Sequence, residues 1–111
     1  MRLFVQAAAE RDILSQIEWY AGLGLSDIAQ RFQTSVLAAI DSLSNMPGAG
    51  TPRPSRNPML AGLRSWSVQG FGEHNVYYLV QSDLLTIVRV LHDKRDIGSI
   101  LDDQSVEPPG S

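Results

Sequence analysis

A chain of 111 residues, 43% apolar and 19% charged, is long enough for one domain with a sizeable core and too apolar for a disordered segment. The absence of cysteine excludes disulfides, thiolate nucleophiles and cysteine-based zinc sites, and two histidines, His74 and His92, are too few for a histidine-rich centre, so no metal or other cofactor is expected. Net charge is −3, without the basic excess that gripping a phosphate backbone demands; only residues 51–95 are locally basic, with six Lys and Arg against three Asp and Glu.

The chain opens with "RLFV", residues 2–5, a short apolar run fit for an edge strand. From residue 7 to 22 the apolar period becomes helical: Ile13, Leu14, Ile17, Tyr20 and Ala21 fall on one face, with Trp19 off that stripe. "GLGLSD" breaks the pattern, and Ser26 is placed to cap a second helix carrying Ala29, Phe32, Val36, Ile40 and Leu43 inward. Pro47 ends that helix near Met46, because proline cannot continue the hydrogen-bond ladder. "PGAGTPRPSRNPMLAG", residues 47–62, holds four prolines and three glycines and reads as a loop.

Three strand-like runs follow: "LRSWSV" (63–68), "NVYYLV" (75–80) and "LLTIVRVL" (84–91). Gly70-Phe71-Gly72 and Gln81-Ser82-Asp83 supply short turns, so the pairing is expected to be antiparallel. The third run is apolar on both sides and is expected inside the sheet rather than at its rim. Residues 96–102 suit one or two helical turns, and the acidic stretch from 102 to 111 is expected to fray. The fold class that emerges is α+β. An N-terminal antiparallel helical hairpin packs on a small antiparallel β-sheet, in a single domain over residues 1–101.

Glycine-rich phosphate loops, GxSxG, HExxH and paired-cysteine motifs are all missing. No apolar run is long enough to span a bilayer, so no membrane partner is expected and the cytoplasm is the expected location.

Taken in order, "AAERDILSQIEWY", "LSNMPGAG", "LAGLRSWSVQGFGEHNVYYLV" and "IVRVLHDKRDIGSIL" resemble the ParE branch of the RelE/ParE superfamily, the toxins of type II toxin–antitoxin (plasmid stabilisation) modules. The resemblance spans residues 2 to about 102. It departs at Asp93, where the family usually has a small residue, often glycine; aspartate tolerates the left-handed conformation such a turn needs. The resemblance implies a toxin held inactive by a cognate ParD-like antitoxin in a hetero-oligomer. Characterised ParE-like members act on DNA gyrase without being enzymes. RelE-like members are ribosome-dependent mRNA endonucleases, which is the alternative here, and a family member that only binds antitoxin is another.

For a binding protein the candidate partner contacts are Trp19, Arg64, Trp66, Arg89, Lys94 and Arg95, and no catalytic residue is needed. A nuclease would need a cation for the phosphate and groups to move protons. Arg64 and Arg89 stand at positions resembling the phosphate-contacting arginines of RelE-like enzymes, with His92 and Tyr78 (or Tyr77) as proton-transfer groups. Strand alternation puts Arg64, Trp66 and Val68 on one face, and Ile87, Arg89 and Leu91 on one face of their own strand. The structural reading of the same residues pairs Arg64 and Arg89 with Asp96 or Asp93 and lets His92 cap a strand end. It places Trp66 in the core and one of Tyr77 and Tyr78 partly exposed; Glu73 and His74 fall in a turn.

Overall fold

The computed structural model describes residues 1–110. In chain order the elements are β1 (Arg2–Val5), α1 (Ala7–Gly22), α2 (Ser26–Asn45), β2 (Thr51–Pro52), a 3-10 turn (Pro58–Leu60), β3 (Arg64–Val68), β4 (Phe71–Gln81), β5 (Leu84–His92) and α3 (Ile97–Asp102). They form one five-stranded sheet of order β1-β5-β4-β3-β2. The α+β expectation holds, with one correction: the sheet is mixed. Strands β5, β4, β3 and β2 pair antiparallel, whereas β1 lies parallel to β5, Val5 opposite Ile87. Parallel pairing needs a long crossover, and the helical hairpin with everything after it is that crossover.

Helices α1 and α2 cover one face of the sheet. Their shared core is built from Phe32, Val36, Ile40 and Leu43 of α2 against Val68, Val76, Tyr78, Leu85, Ile87 and Val90. Burying each of these large side chains contributes about 1.5–3 kcal/mol. The inward stripe of α2 is the expected one. That of α1 is narrower: only Ala9 is fully buried, Ile13, Ile17 and Tyr20 are half-buried, and Leu14 is 57% exposed. The reason is position, since α1 packs against α2 and β5 with no further helix on its outer side. Ser26 is the first helical residue of α2 rather than its cap; Leu25 holds the cap position and no side chain bonds there.

The opposite face has its own core of Leu60, Leu63, Tyr77, Leu79, Val88, Leu91 and Leu101, lidded by α3 and the proline-rich segment. Covering both faces explains why β5 is apolar on both sides. Residues 47–62 are therefore more than a loop. Thr51–Pro52 pairs with Ser65 and Arg64 as a rim strand, where proline is tolerated. Buried Asn57 donates from Nδ2 to the carbonyls of Leu101 (2.9 Å) and Gln104 (2.7 Å). The stretch expected to fray after residue 101 is tied to the body through Glu107: the Gln6 side chain donates to Glu107 O (2.8 Å) and accepts from Glu107 N (3.0 Å). The β3–β4 turn is shorter than expected, Gln69-Gly70 with Gly70 at φ +83°, so Glu73 and His74 belong to β4. The corner after β5 does not use a left-handed Asp93; among the described non-glycine residues only Ser82 has positive φ. Among the described residues no helix is long and apolar enough to cross a membrane.

Candidate functional site

The arginine inside β5 is explained by where β1 stops. Beyond Val5, β5 has no strand neighbour on that side, and the carboxylate of Asp12, from the first half of α1, stands in the gap. Its Oδ2 accepts from the Val90 amide (3.0 Å) and from Arg89 Nε (2.7 Å), while Oδ1 accepts from Arg89 Nη2 (2.8 Å). Arg89 Nη1 also donates to Gln104 Oε1 (3.1 Å). Both side chains are largely buried, at 16% and 11% exposure, and the bonds to Asp12 push the guanidinium pKa up while burial opposes them. A bulge makes this possible. Tyr78 faces Ile87 but Tyr77 faces Arg89, so Val88 is an extra residue. Val88 enters the far core and Val90 the helix-side core, which breaks the simple alternation that would put Ile87, Arg89 and Leu91 on one face. The partner of Arg89 is thus Asp12, not Asp93 or Asp96.

Arg64, unlike Arg89, pairs with no carboxylate among the described residues. Its Nη1 donates to the carbonyls of Gly50 (2.7 Å) and Gly48 (3.3 Å), fastening β3 to the chain that leaves α2. In the same corner Tyr78, fully buried, donates its hydroxyl to Pro47 O (2.8 Å) and accepts from Gly50 N (2.9 Å). Gly50 allows that approach: an added Cβ would lie 2.7 Å from Tyr78 Cε1 and 2.8 Å from Ser65 O. Tyr77 is buried as well, in the far core, and burial pushes its phenol up. The expectation that one tyrosine is partly exposed fails because both faces of the sheet are covered.

At the other end of the sheet His92 and His74 face each other across β5 and β4, their rings edge-to-face at 4.8 Å. His92 Nε2 lies 2.9 Å from Glu73 Oε2, and its Nδ1 accepts from the Lys94 amide (3.1 Å), so it does close the strand end. His74 is buried against Phe32, and burial, then the neighbouring His92, lowers its pKa. Asn75 donates to Asp93 Oδ1 at 2.6 Å, and Asp93 N donates to Glu73 O, which binds this corner to β4.

Of the candidate partner contacts, Trp19 is 59% exposed on α1, Trp66 is half-buried against the helix-side core, and Lys94 and Arg95 are exposed. Arg64 and Arg89 do not converge. Arg64 shares a row with Tyr78 and Arg89 shares one with Tyr77, and neighbouring residues of a strand point to opposite faces. Sequence reasoning missed Asp12, His74 and Gln104. For Asp12 a signal existed: three residues after buried Ala9 it lies on the inward side of α1, where an acid needs a buried cation.

Comparison with known proteins agrees with this architecture. Residues 3–97 match the family model described as ParE toxin of type II toxin-antitoxin system, parDE. Among solved structures, a chain of the chromosomal ParDE TA system from P. aeruginosa superposes with a TM-score of 0.67 at 18% identity, over 83% of this chain and 95% of that one. No curated protein matches the sequence significantly. With the family pattern running from β1 into α3 and the same fold in the solved relative, the chain belongs to the ParE toxin family of type II toxin–antitoxin systems.

Proposed function

We propose that the chain is a toxin that works in the cytoplasm by binding a protein, DNA gyrase, and that a cognate ParD-like antitoxin neutralises it by covering its surface. The observation that carries the binding mechanism is the state of the four groups a RelE-like nuclease would use. Arg89 is clamped on Asp12, Arg64 on two backbone carbonyls and His92 on Glu73, while the Tyr78 hydroxyl is buried between Pro47 and Gly50. Each holds two parts of the fold together, and the two arginines lie in the rows of different tyrosines. What the surface offers instead is large apolar side chains, Trp19, Leu14, Leu23 and Leu37 among them, each more than half exposed on the helical hairpin. Exposed apolar and aromatic groups of this kind are what protein interfaces use as anchors. Membership of the ParE family supports gyrase as the target, and the ParDE origin of the solved relative supports an antitoxin as partner.

The test is to add the purified chain to gyrase with relaxed plasmid, and in parallel to ribosomes translating a defined mRNA. Inhibited supercoiling with intact mRNA is the expected result. Cleaved mRNA with supercoiling unaffected would overturn the reading.

A further inference from the structure

The face of the sheet away from the helical hairpin carries an open cleft of about 680 Å³. Tyr77 of β4 forms its floor. One wall is the segment after β2, with Arg53, Pro54 and Arg56; the other is the corner after β5 together with α3, with Asp93, Ile97 and Asp102. Buried Asn57 ties the two walls together through its bonds to the Leu101 and Gln104 carbonyls. The volume is that of a small-molecule site.

Tyr77 points to a ligand. It is 3% exposed, yet its hydroxyl has no hydrogen-bond partner among the described residues. Neighbouring Tyr78, also buried, uses its hydroxyl twice, donating to Pro47 O and accepting from Gly50 N. Buried polar groups are almost always bonded, and among the described residues no side-chain polar atom is sealed in without a partner. The Tyr77 hydroxyl therefore opens into the cleft, where its partner is water or a bound molecule. Burial pushes its pKa up, while nearby Arg53 pulls it down and Asp93 pushes it up, as befits a phenol with a cation and an anion close by.

The charges around the hydroxyl are unpaired as well. Two arginines and two aspartates line the cleft, and among the described residues none of the four forms an ion pair. Arg53 donates only from Nε, to Ser65 Oγ (2.8 Å), and Asp93 accepts only at Oδ1, from Asn75 Nδ2 (2.6 Å). The side chains of Arg56 and Asp102 are exposed and unbonded. A phosphate chain entering the cleft would meet Asp93 and Asp102, and a polyamine would meet Arg53 and Arg56; like charges reject both. A molecule carrying one charge of each sign satisfies both walls.

We propose that this cleft binds a small zwitterion of the amino-acid class, either a free amino acid with an apolar side chain or a short peptide. Its carboxylate lies on Arg53 and Arg56 and its ammonium on Asp93 and Asp102, with the Tyr77 hydroxyl bonding a polar atom between them. Its side chain rests on Pro54, Ile97 and Leu101. Charge-assisted bonds at the two ends set the orientation, and the apolar lining selects the side chain. The cleft stands on the opposite face from the helical hairpin, so the proposal goes beyond the protein-binding reading and holds whatever the toxin's target.

The experiment follows amide NMR shifts of the folded chain while L-phenylalanine or alanyl-phenylalanine is added. At least one of them should move the amides of residues 53–56, 77, 93 and 97–102 with a saturable curve, and the one that saturates at lower concentration gives the length of the ligand. N-acetyl-phenylalanine, which lacks the ammonium, and phenethylamine, which lacks the carboxylate, should bind at least about tenfold more weakly, since each loses a charge-assisted contact. Arg56→Gln and Asp102→Asn should each weaken the zwitterion at least about fivefold, and Tyr77→Phe at least about threefold. Arg56 is changed rather than Arg53, which also lines the cleft between α2 and β3 and is tied to Ser65. All three variants should keep Tm within about 3 °C of native, because none of the three groups removed is bonded within the fold. No shift at those amides up to about 20 mM of either zwitterion, equal binding of the two analogues, or undiminished binding by the variants would overturn the proposal. So would inorganic phosphate or an oligouridylate that moves the same amides at lower concentration than either zwitterion. A larger fall in Tm for Tyr77→Phe would overturn it too, by showing that the hydroxyl is used inside the fold.

Discussion

Replacing Arg89 by methionine isolates the ion pair, because methionine keeps most of the aliphatic stem and removes the charge. In the native protein the Asp12 carboxylate accepts two guanidinium bonds of 2.7 and 2.8 Å and one from the Val90 amide, at 11% exposure. Removing one partner of a fully buried pair costs about 3–5 kcal/mol. Asp12 keeps one backbone donor and some access to water, so the expected loss is about 2–3 kcal/mol. At roughly 4 °C per kcal/mol for a domain of this size, Tm should fall by about 8–12 °C. Asp12→Asn should cost less alone, since its amide oxygen still accepts from Val90. In the double variant no uncompensated charge remains, and a double-mutant cycle should show a coupling of at least about 1 kcal/mol. Thermal and urea melts of the four proteins measure it. A fall below about 2 °C for Arg89→Met, or a coupling within about 0.3 kcal/mol of zero, would refute the assignment of Arg89 to this lock.

His74 is held below its ordinary pKa of 6.5 by burial and by His92, so protons bind the unfolded chain more readily than the folded one. Its contribution to stability is therefore full above about pH 6.5 and is lost as pH falls below it, and His74→Phe, which keeps the ring contacts, should flatten the decline in Tm between about pH 7 and 5. Gly50→Ala should cost about 1–3 kcal/mol, because the new methyl meets the Tyr78 ring and Ser65 O, and Tyr78→Phe about 1–2 kcal/mol, since it leaves Pro47 O and Gly50 N without their partner; chemical denaturation reads both. Trp19→Ala should stay within about 0.5 kcal/mol of native stability and weaken partner binding by 2 kcal/mol or more, on the order of thirtyfold, measured by calorimetry on the complex. His92→Gln keeps a donor for Glu73 and an acceptor for the Lys94 amide but cannot titrate near neutrality, so growth arrest should persist; loss of toxicity in a variant that still folds and binds its antitoxin would sink the binding mechanism.

Local patterns carried most of the elements. The period of Phe32, Val36, Ile40 and Leu43 is a property of one helix, and proline stops a helix wherever it stands, so α2 and its end were legible from the chain alone. The same holds for the strand runs and for the all-apolar β5. Family membership was legible too, because it rests on the order and spacing of several such segments. The candidate site was not legible, because its geometry is long-range. Arg89 and Asp12 are 77 residues apart, and they meet only because β1 ends at Val5 and a bulge at Val88 redirects the strand. Period-two alternation has no way to register an inserted residue, so it put Ile87 on the same face as Arg89 and Leu91. The parallel pairing of β1 was hidden for a related reason: a four-residue apolar run reads alike in either direction, and its direction follows from the path the hairpin takes. The acidic tail looked free because nothing near it in sequence binds it; Gln6 reaches Glu107 from 101 residues away and Asn57 reaches Gln104 from 47. The sequence by itself determined the two long helices and the cores of the three long strands, since those depend on neighbours within a few residues. Only the tertiary structure decided which charges are buried, paired or left facing a groove, because a charge's state depends on what the folded chain brings within a few ångströms of it.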